Sequence, residues 1–114
     1  MARGTLAVQP IVNTGLEPTY TAADAVDGHE FENDGKTFLH VANGATAVEV
    51  TVSANYSREG LTLPDLSVTV SASESRMIGP FDKIVFNQDG ADKGKVFVDV
   101  DDASNVTLAA IRLP

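Results

Sequence analysis

His29 and His40 are the side chains best suited to moving a proton near neutral pH, because an imidazole titrates close to that range. They stand eleven residues apart, His29 among acids and His40 between Leu39 and Val41, and nothing in the sequence pairs either with a nucleophile. A histidine within a strand is far more often a hydrogen-bonded structural imidazole than a base or ligand. His29 reads as a loop residue that helps to order Asp27 and Glu30.

Carboxylates gather at Asp89-Gly90-Ala91-Asp92 and at Asp99, Asp101 and Asp102. Calcium wants six to eight oxygens, and the loop spacing that supplies them is absent at both places, so solvated turns are the stronger reading. Paired carboxylates could hydrolyse a glycosidic bond, but that chemistry usually works beside sugar-stacking aromatics, and the chain has no Trp and two Tyr. With no cysteine, no Gly-rich phosphate loop, no Gly-x-Ser-x-Gly and no His-Glu-x-x-His, the sequence predicts no catalytic residue, cofactor or metal, and no enzyme. The isolated Arg3, Arg58 and Arg76 are candidate docking contacts, since a guanidinium can grip a carboxylate with two bonds; ordinary surface charge is the commoner role.

Eight basic against sixteen acidic residues give a formal charge of −8, the wrong sign for holding phosphate backbones, so nucleic acid is not an expected partner. No apolar run approaches membrane-spanning length and the opening Met1-Ala2-Arg3-Gly4-Thr5-Leu6 lacks a secretory core, which predicts cytoplasmic synthesis without a membrane partner. At 114 residues, 43% hydrophobic and 21% charged, the chain is expected to form one domain with a single core.

The elements that must carry these residues are strands. Val48-Glu49-Val50-Thr51-Val52-Ser53 and Val96-Phe97-Val98-Asp99-Val100 alternate with period two, as a half-buried antiparallel strand requires. Strands are predicted near 37–42, 47–53, 67–71, 74–78, 83–87, 95–100 and 106–113, divided by Asn43-Gly44, Arg58-Glu59-Gly60, Gly79-Pro80, Asp89-Gly90 and Asp101-Asp102. The fold class is all-β, an antiparallel β-sandwich of jelly-roll or immunoglobulin-like order, with 37–114 as its strand-rich core. Residues 1–36 read as an extended N-terminal arm, broken by Pro10, and a long acidic loop holding Glu17, Asp24, Asp27, Glu30, Glu32 and Asp34 without a base. A helical turn over 22–26 is conceivable. Phe38-Leu39-His40-Val41, Ile84-Val85-Phe86 and Leu108-Ala109-Ala110-Ile111 are apolar on both faces, so the arm, the long loop or another subunit must cover them.

Met1-Ala2-Arg3-Gly4-Thr5-Leu6-Ala7-Val8-Gln9, Gly15-Leu16-Glu17-Pro18-Thr19-Tyr20-Thr21-Ala22-Ala23, Gly28-His29-Glu30-Phe31, Phe38-Leu39-His40-Val41, Ile78-Gly79-Pro80-Phe81 and Val106-Thr107-Leu108-Ala109-Ala110-Ile111-Arg112-Leu113 together span nearly the whole chain. In these stretches the sequence resembles the small capsid-associated proteins of tailed bacteriophages, the decoration, cement or minor capsid proteins. The resemblance implies a non-enzymatic virion protein on the capsid surface that binds and stabilises the assembled shell of major capsid protein. A homo-oligomer, favoured as a trimer, goes with that role. The expected contacts are Arg3, Leu6, Val8 and Ile11 along the arm, with Tyr20 and Phe31 as aromatic anchors in the loop, since arginines and aromatics dominate interface energy. Alternative roles are a receptor- or glycan-binding β-module on the virion, disfavoured by the missing Trp, and a head–tail or tail-tube component.

Overall fold

The alternation in sequence becomes alternation of burial. In a computed structural model of the chain, which describes residues 3–44, 46–90, 93–102 and 104–113, every second side chain of the main strands enters one shared core. Ala2 at the start of the arm and Asp92 of the acidic cluster lie outside the described residues, as do the side chains of Ser57, Arg58 and Thr62. The strands in chain order are β1 (Gly4–Thr5), β2 (Val8–Pro10), β3 (Thr21–Ala22), β4 (His29–Glu32), β5 (Thr37–Asn43), β6 (Val48–Val52), β7 (Ser57–Arg58), β8 (Leu61–Thr62), β9 (Leu66–Val70), β10 (Ser75–Ile78), β11 (Lys95–Val100) and β12 (Val106–Arg112), with the one-turn helix α1 (Lys83–Phe86) before β11.

Two five-membered sheets result. The first runs β1-β4-β11-β6-β9; the second runs β10-β5-β12-β2, with β3 also on β12, and the β7–β8 hairpin stands apart. Register places Val96 beside Phe31, Val98 between Val52 and His29, and Val50 beside Val68, so the inward row of the first sheet is apolar except at His29. From the second sheet Leu39, Val41, Leu108 and Ala110 complete the same cluster. Phe81 plugs one end of the core, its ring 5.7 Å from that of Phe31 and 5.5 Å from that of Phe86.

The arm closes one side of this core. β1 pairs in parallel with β4, Gly4 opposite His29, and after two residues β2 pairs in parallel with β12, Val8 opposite Ala110. Between them Leu6 donates its N–H to Glu30 O at 2.8 Å and buries its side chain to 2% exposure, so the chain changes sheets at a residue anchored in the core.

Several expectations change. The acidic stretch is not one loop, because β3 and β4 form within it. His29 and Phe31 point inward on β4, while the outward Glu30 is met by Lys95 and the outward Glu32 stays in water. No helix forms at 22–26; a turn there is held instead by the Asp24 carboxylate, which accepts from Val26 N and Asp27 N. The strand expected at 83–87 is the helical turn α1, since Asp82 Oδ1 accepts from Ile84 N at 2.8 Å and caps it. Both arm strands pair in parallel, so the sheets are mixed rather than purely antiparallel. Arg58-Glu59-Gly60, expected as a simple turn, forms the tip of the β7–β8 hairpin, with Glu59 and Gly60 both at positive φ as a two-residue loop demands. Leu6→Ala is expected to lower unfolding free energy by about 2–5 kcal/mol, read from denaturant unfolding, because it empties a filled site where arm and core meet.

Candidate functional site

Arg3 fastens the arm to the outer face of the first sheet. Its guanidinium donates to Asp99 Oδ1 at 2.8 Å and Oδ2 at 3.2 Å, and to Val98 O at 3.3 Å, while lying 4.4 Å from the centre of the Phe97 ring. Gly28, at φ +74°, leaves the room this needs, since a Cβ there would run into both the Asp99 carboxylate and the Arg3 guanidinium. Beneath β1, buried His29 accepts from Asp24 N through Nε2 at 3.0 Å, which leaves the ring proton on Nδ1, a buried atom without a hydrogen-bond partner among the described residues. Burial holds the His29 pKa below its ordinary value, against the nearby charges of Asp24 and Asp99 and with that of Arg3. Glu30 Oε2 makes an ion pair with Lys95 Nζ at 3.0 Å rather than a directed hydrogen bond.

On the outer face of the second sheet, Tyr20 Oη lies 2.6 Å from His40 Nδ1, and the rings are tilted against each other. This bond ties the segment after the arm to β5. It also gives His40 the hydrogen-bonded place expected of a strand imidazole. Among the described residues no nucleophile or carboxylate hydrogen-bonds to either ring. Gln9 adds a second tie, with its amide donating to Thr19 O and accepting from Thr19 N, both at 2.8 Å. The two-sided apolar run of β12 is thereby explained: Ala109 and Ile111 are buried, and Ala109 shares a crevice with Gln9, Thr19 and Thr21 of the same chain.

The acids settle into local structure. Asp101 accepts from Glu49 N, Asp102 from Ser104 N and the Thr46 hydroxyl, and Asp89 from the Asn55 amide. Among the described residues, no group of three or more His, Asp or Glu side chains could hold a metal ion. The Asp34 and Arg112 side chains, 3.6 Å apart, flank an open crevice of about 350 Å³ shared with Val8, Glu32, Asn33 and Thr37. Within it the Thr37 hydroxyl donates to Asp34 Oδ1 at 3.3 Å, and the Asp34 carboxylate also accepts from Lys36 N.

Apolar side chains collect instead at one end of the molecule. Pairing of Arg112 with both Thr37 and Pro10, of Lys95 with Glu32, and of Val52 with Leu66 brings the loops 33–36, 53–65 and 79–94 to a common end, with Val12 and Leu113. Asn33 Nδ2 donates to Phe81 O at 3.0 Å and to Asn87 Oδ1 at 2.7 Å, and Asn55 N donates to Val85 O at 2.6 Å, so these loops hold one another. From them Leu61 stands 76% and Ile84 70% exposed, with Leu63, Leu113 and Val12 also open to solvent. The same loops also carry exposed Asp34, Glu59, Asp65, Asp82 and Asp89, while the opposite end carries Asp24, Asp27, Glu74, Asp101 and Asp102 together with Val26, 81% exposed.

No family model, curated protein or solved structure matches this chain.

Of the residues expected at a contact surface, Phe31 and Leu6 are core and Val8 packs against the core, because each faces inward at its register position. Arg3 is committed to Asp99 and Phe97, while Ile11 is half-buried and Tyr20 exposed. Of the other two arginines, Arg76 lies exposed on β10. The exposed Ile84 and Leu61 are not among the residues expected there. Asp82 as a helix cap and Glu59-Gly60 as a hairpin tip are the signals that place them on projecting loops.

Stability should be acid-sensitive in a defined sense. A histidine with a lowered folded pKa takes its proton first in the unfolded chain, so its contribution is whole above about pH 6.5 and is lost as pH falls below that. The carboxyls of Asp24 and Asp34, held low by the backbone N–H groups of Asp27 and Lys36, extend the loss through the carboxylate range. Denaturant midpoints measured from pH 8 to pH 4 are expected to fall, and His29→Gln should flatten the part of the curve around pH 6.

Proposed function

We propose that this chain is a non-enzymatic structural protein that docks on a larger protein assembly through its apolar end, and that the assembly is the shell of a tailed phage, as a decoration, cement or minor capsid protein. The observation that carries the docking is the gathering of exposed Leu61, Leu63, Ile84, Val12 and Leu113 at one end, on loops that brace one another. Apolar side chains held on a rigid platform lose little entropy on being covered, which favours protein contact over catalysis. The resemblance of the sequence to capsid-associated proteins supplies the identity of the partner.

The finer architecture in this reading is a jelly roll. Numbering β3, β4, β5, β6, β9, β10, β11 and β12 from one to eight gives the orders 6-3-8-1 and 5-4-7-2, the pattern of two interlocked Greek keys. Such folds serve both capsids and lectins, so the fold alone does not choose between them. The absence of Trp favours the capsid. A shell ligand that binds only the expanded lattice stabilises it by mass action, and repeated sites add avidity.

Cosedimentation with expanded, decoration-free capsids and with unexpanded procapsids tests this, followed by heating. Stoichiometric binding to the expanded shell with greater heat resistance is expected; binding to neither sinks the capsid reading. Leu61→Asp combined with Ile84→Asp should weaken binding about tenfold or more, about 1.4 kcal/mol, without lowering the unfolding midpoint, since both side chains are exposed in the free protein.

A further inference from the structure

The two long sides of the molecule are treated differently. On one side the arm runs along β4 and then β12, covering an edge of each sheet with the chain's own backbone. On the other side β9 ends the first sheet and β10 ends the second, and the short turn 71–74 between them pairs with neither outer edge. Proteins commonly blunt such edges with charge, proline or a bulge.

β9 has none of these. Leu66-Ser67-Val68-Thr69-Val70 is uncharged within a chain of net charge −8 and runs opposite β6 without a break in register. Its inward row is finished at one end only, where Val70 is fully buried. Val48, Val50, Val52, Val96 and Val98 on the same sheet are fully or almost fully buried, whereas Leu66 and Val68 are only half-buried. β10 differs, being one residue shorter and carrying the exposed Arg76.

We propose that β9 pairs antiparallel with β9 of a second copy of this chain, about a two-fold axis at Val68, joining two first sheets into one continuous sheet. This register sets Ser67 opposite the partner copy's Thr69 and Leu66 opposite its Val70, so no like charges face each other across the ladder and the half-buried Leu66 and Val68 gain cover. Lack of charge is what commits the site to a second copy. Two chains of −8 repel over most of their surfaces, and this edge is a place where they can meet without apposing acids. Such pairing is isologous and closes at two, in contrast to the trimer that the resemblance implies. It does not depend on the capsid reading, because it concerns the free protein.

Sedimentation equilibrium of the purified full chain over a wide concentration range tests the pairing. A reversible species of twice the 12.0 kDa chain mass is expected. Ser67→Lys with Thr69→Lys sets lysines opposite lysines and should weaken the dimer at least tenfold while leaving circular dichroism and the unfolding midpoint unchanged, since both positions face solvent. Mixing that variant with the corresponding Ser67→Glu, Thr69→Glu chain should give a heterodimer, because only the stated register brings each lysine against a glutamate. A chain that stays monomeric at every concentration, a trimer, or a dimer that survives the lysines overturns the proposal. Capsid cosedimentation on the same variants reads separately, so failure of either inference is distinguishable.

Discussion

The crossing of the arm at Leu6 is the constraint on which the rest of the molecule turns. Two sheets that share a core need their margins sealed, and here one segment seals a margin of both by pairing first with β4 and then with β12. Only a side chain buried at the change of sheet can hold both pairings in step, and Leu6 supplies it. Arg3 then anchors the start of the arm through Asp99 and Phe97, and Gln9 and Tyr20 anchor the segment that follows. The fastening is polar at its rim and apolar at its centre.

That arrangement divides the surface. The outer face of the first sheet is occupied by charge pairs, Arg3 with Asp99 and Lys95 with Glu30, which leave it little apolar area. Both ends carry acids, and one of them also presents Leu61, Leu63 and Ile84 on loops joined through Asn33, Asn55 and Asn87. Asparagine suits such joints because one amide can donate and accept at once. Each end is set by loops whose ends the strand register has already aligned.

The strands whose inward residues are uniformly apolar were legible in the sequence. Val48–Val52 and Lys95–Val100 alternate because one row of each faces the core and the other the outer face of the sheet. His29–Glu32 was hidden, since Glu30 and Glu32 look like loop residues until Lys95 and the arm are placed beside them. The Ile84-Val85-Phe86 run looked like a strand because β-branched and aromatic residues favour one, yet the Asp82 cap and a single turn prevailed. The contact residues fared unevenly for a related reason. Aromatic and aliphatic types mark core and interface alike, and burial, which distinguishes Phe31 from Tyr20, depends on long-range register that no local pattern carries.

The parallel pairing of the arm has a consequence for synthesis. Val8 finds its partner at Ala110, about a hundred residues further along, whereas sheet neighbours such as β5 and β10 or β6 and β9 lie far closer in sequence. On the ribosome, a segment made early must therefore wait, unpaired, until β12 has emerged. In a crowded polysome the β12 of a neighbouring nascent chain could accept it first, and strand exchange between copies would then be settled before either chain is released.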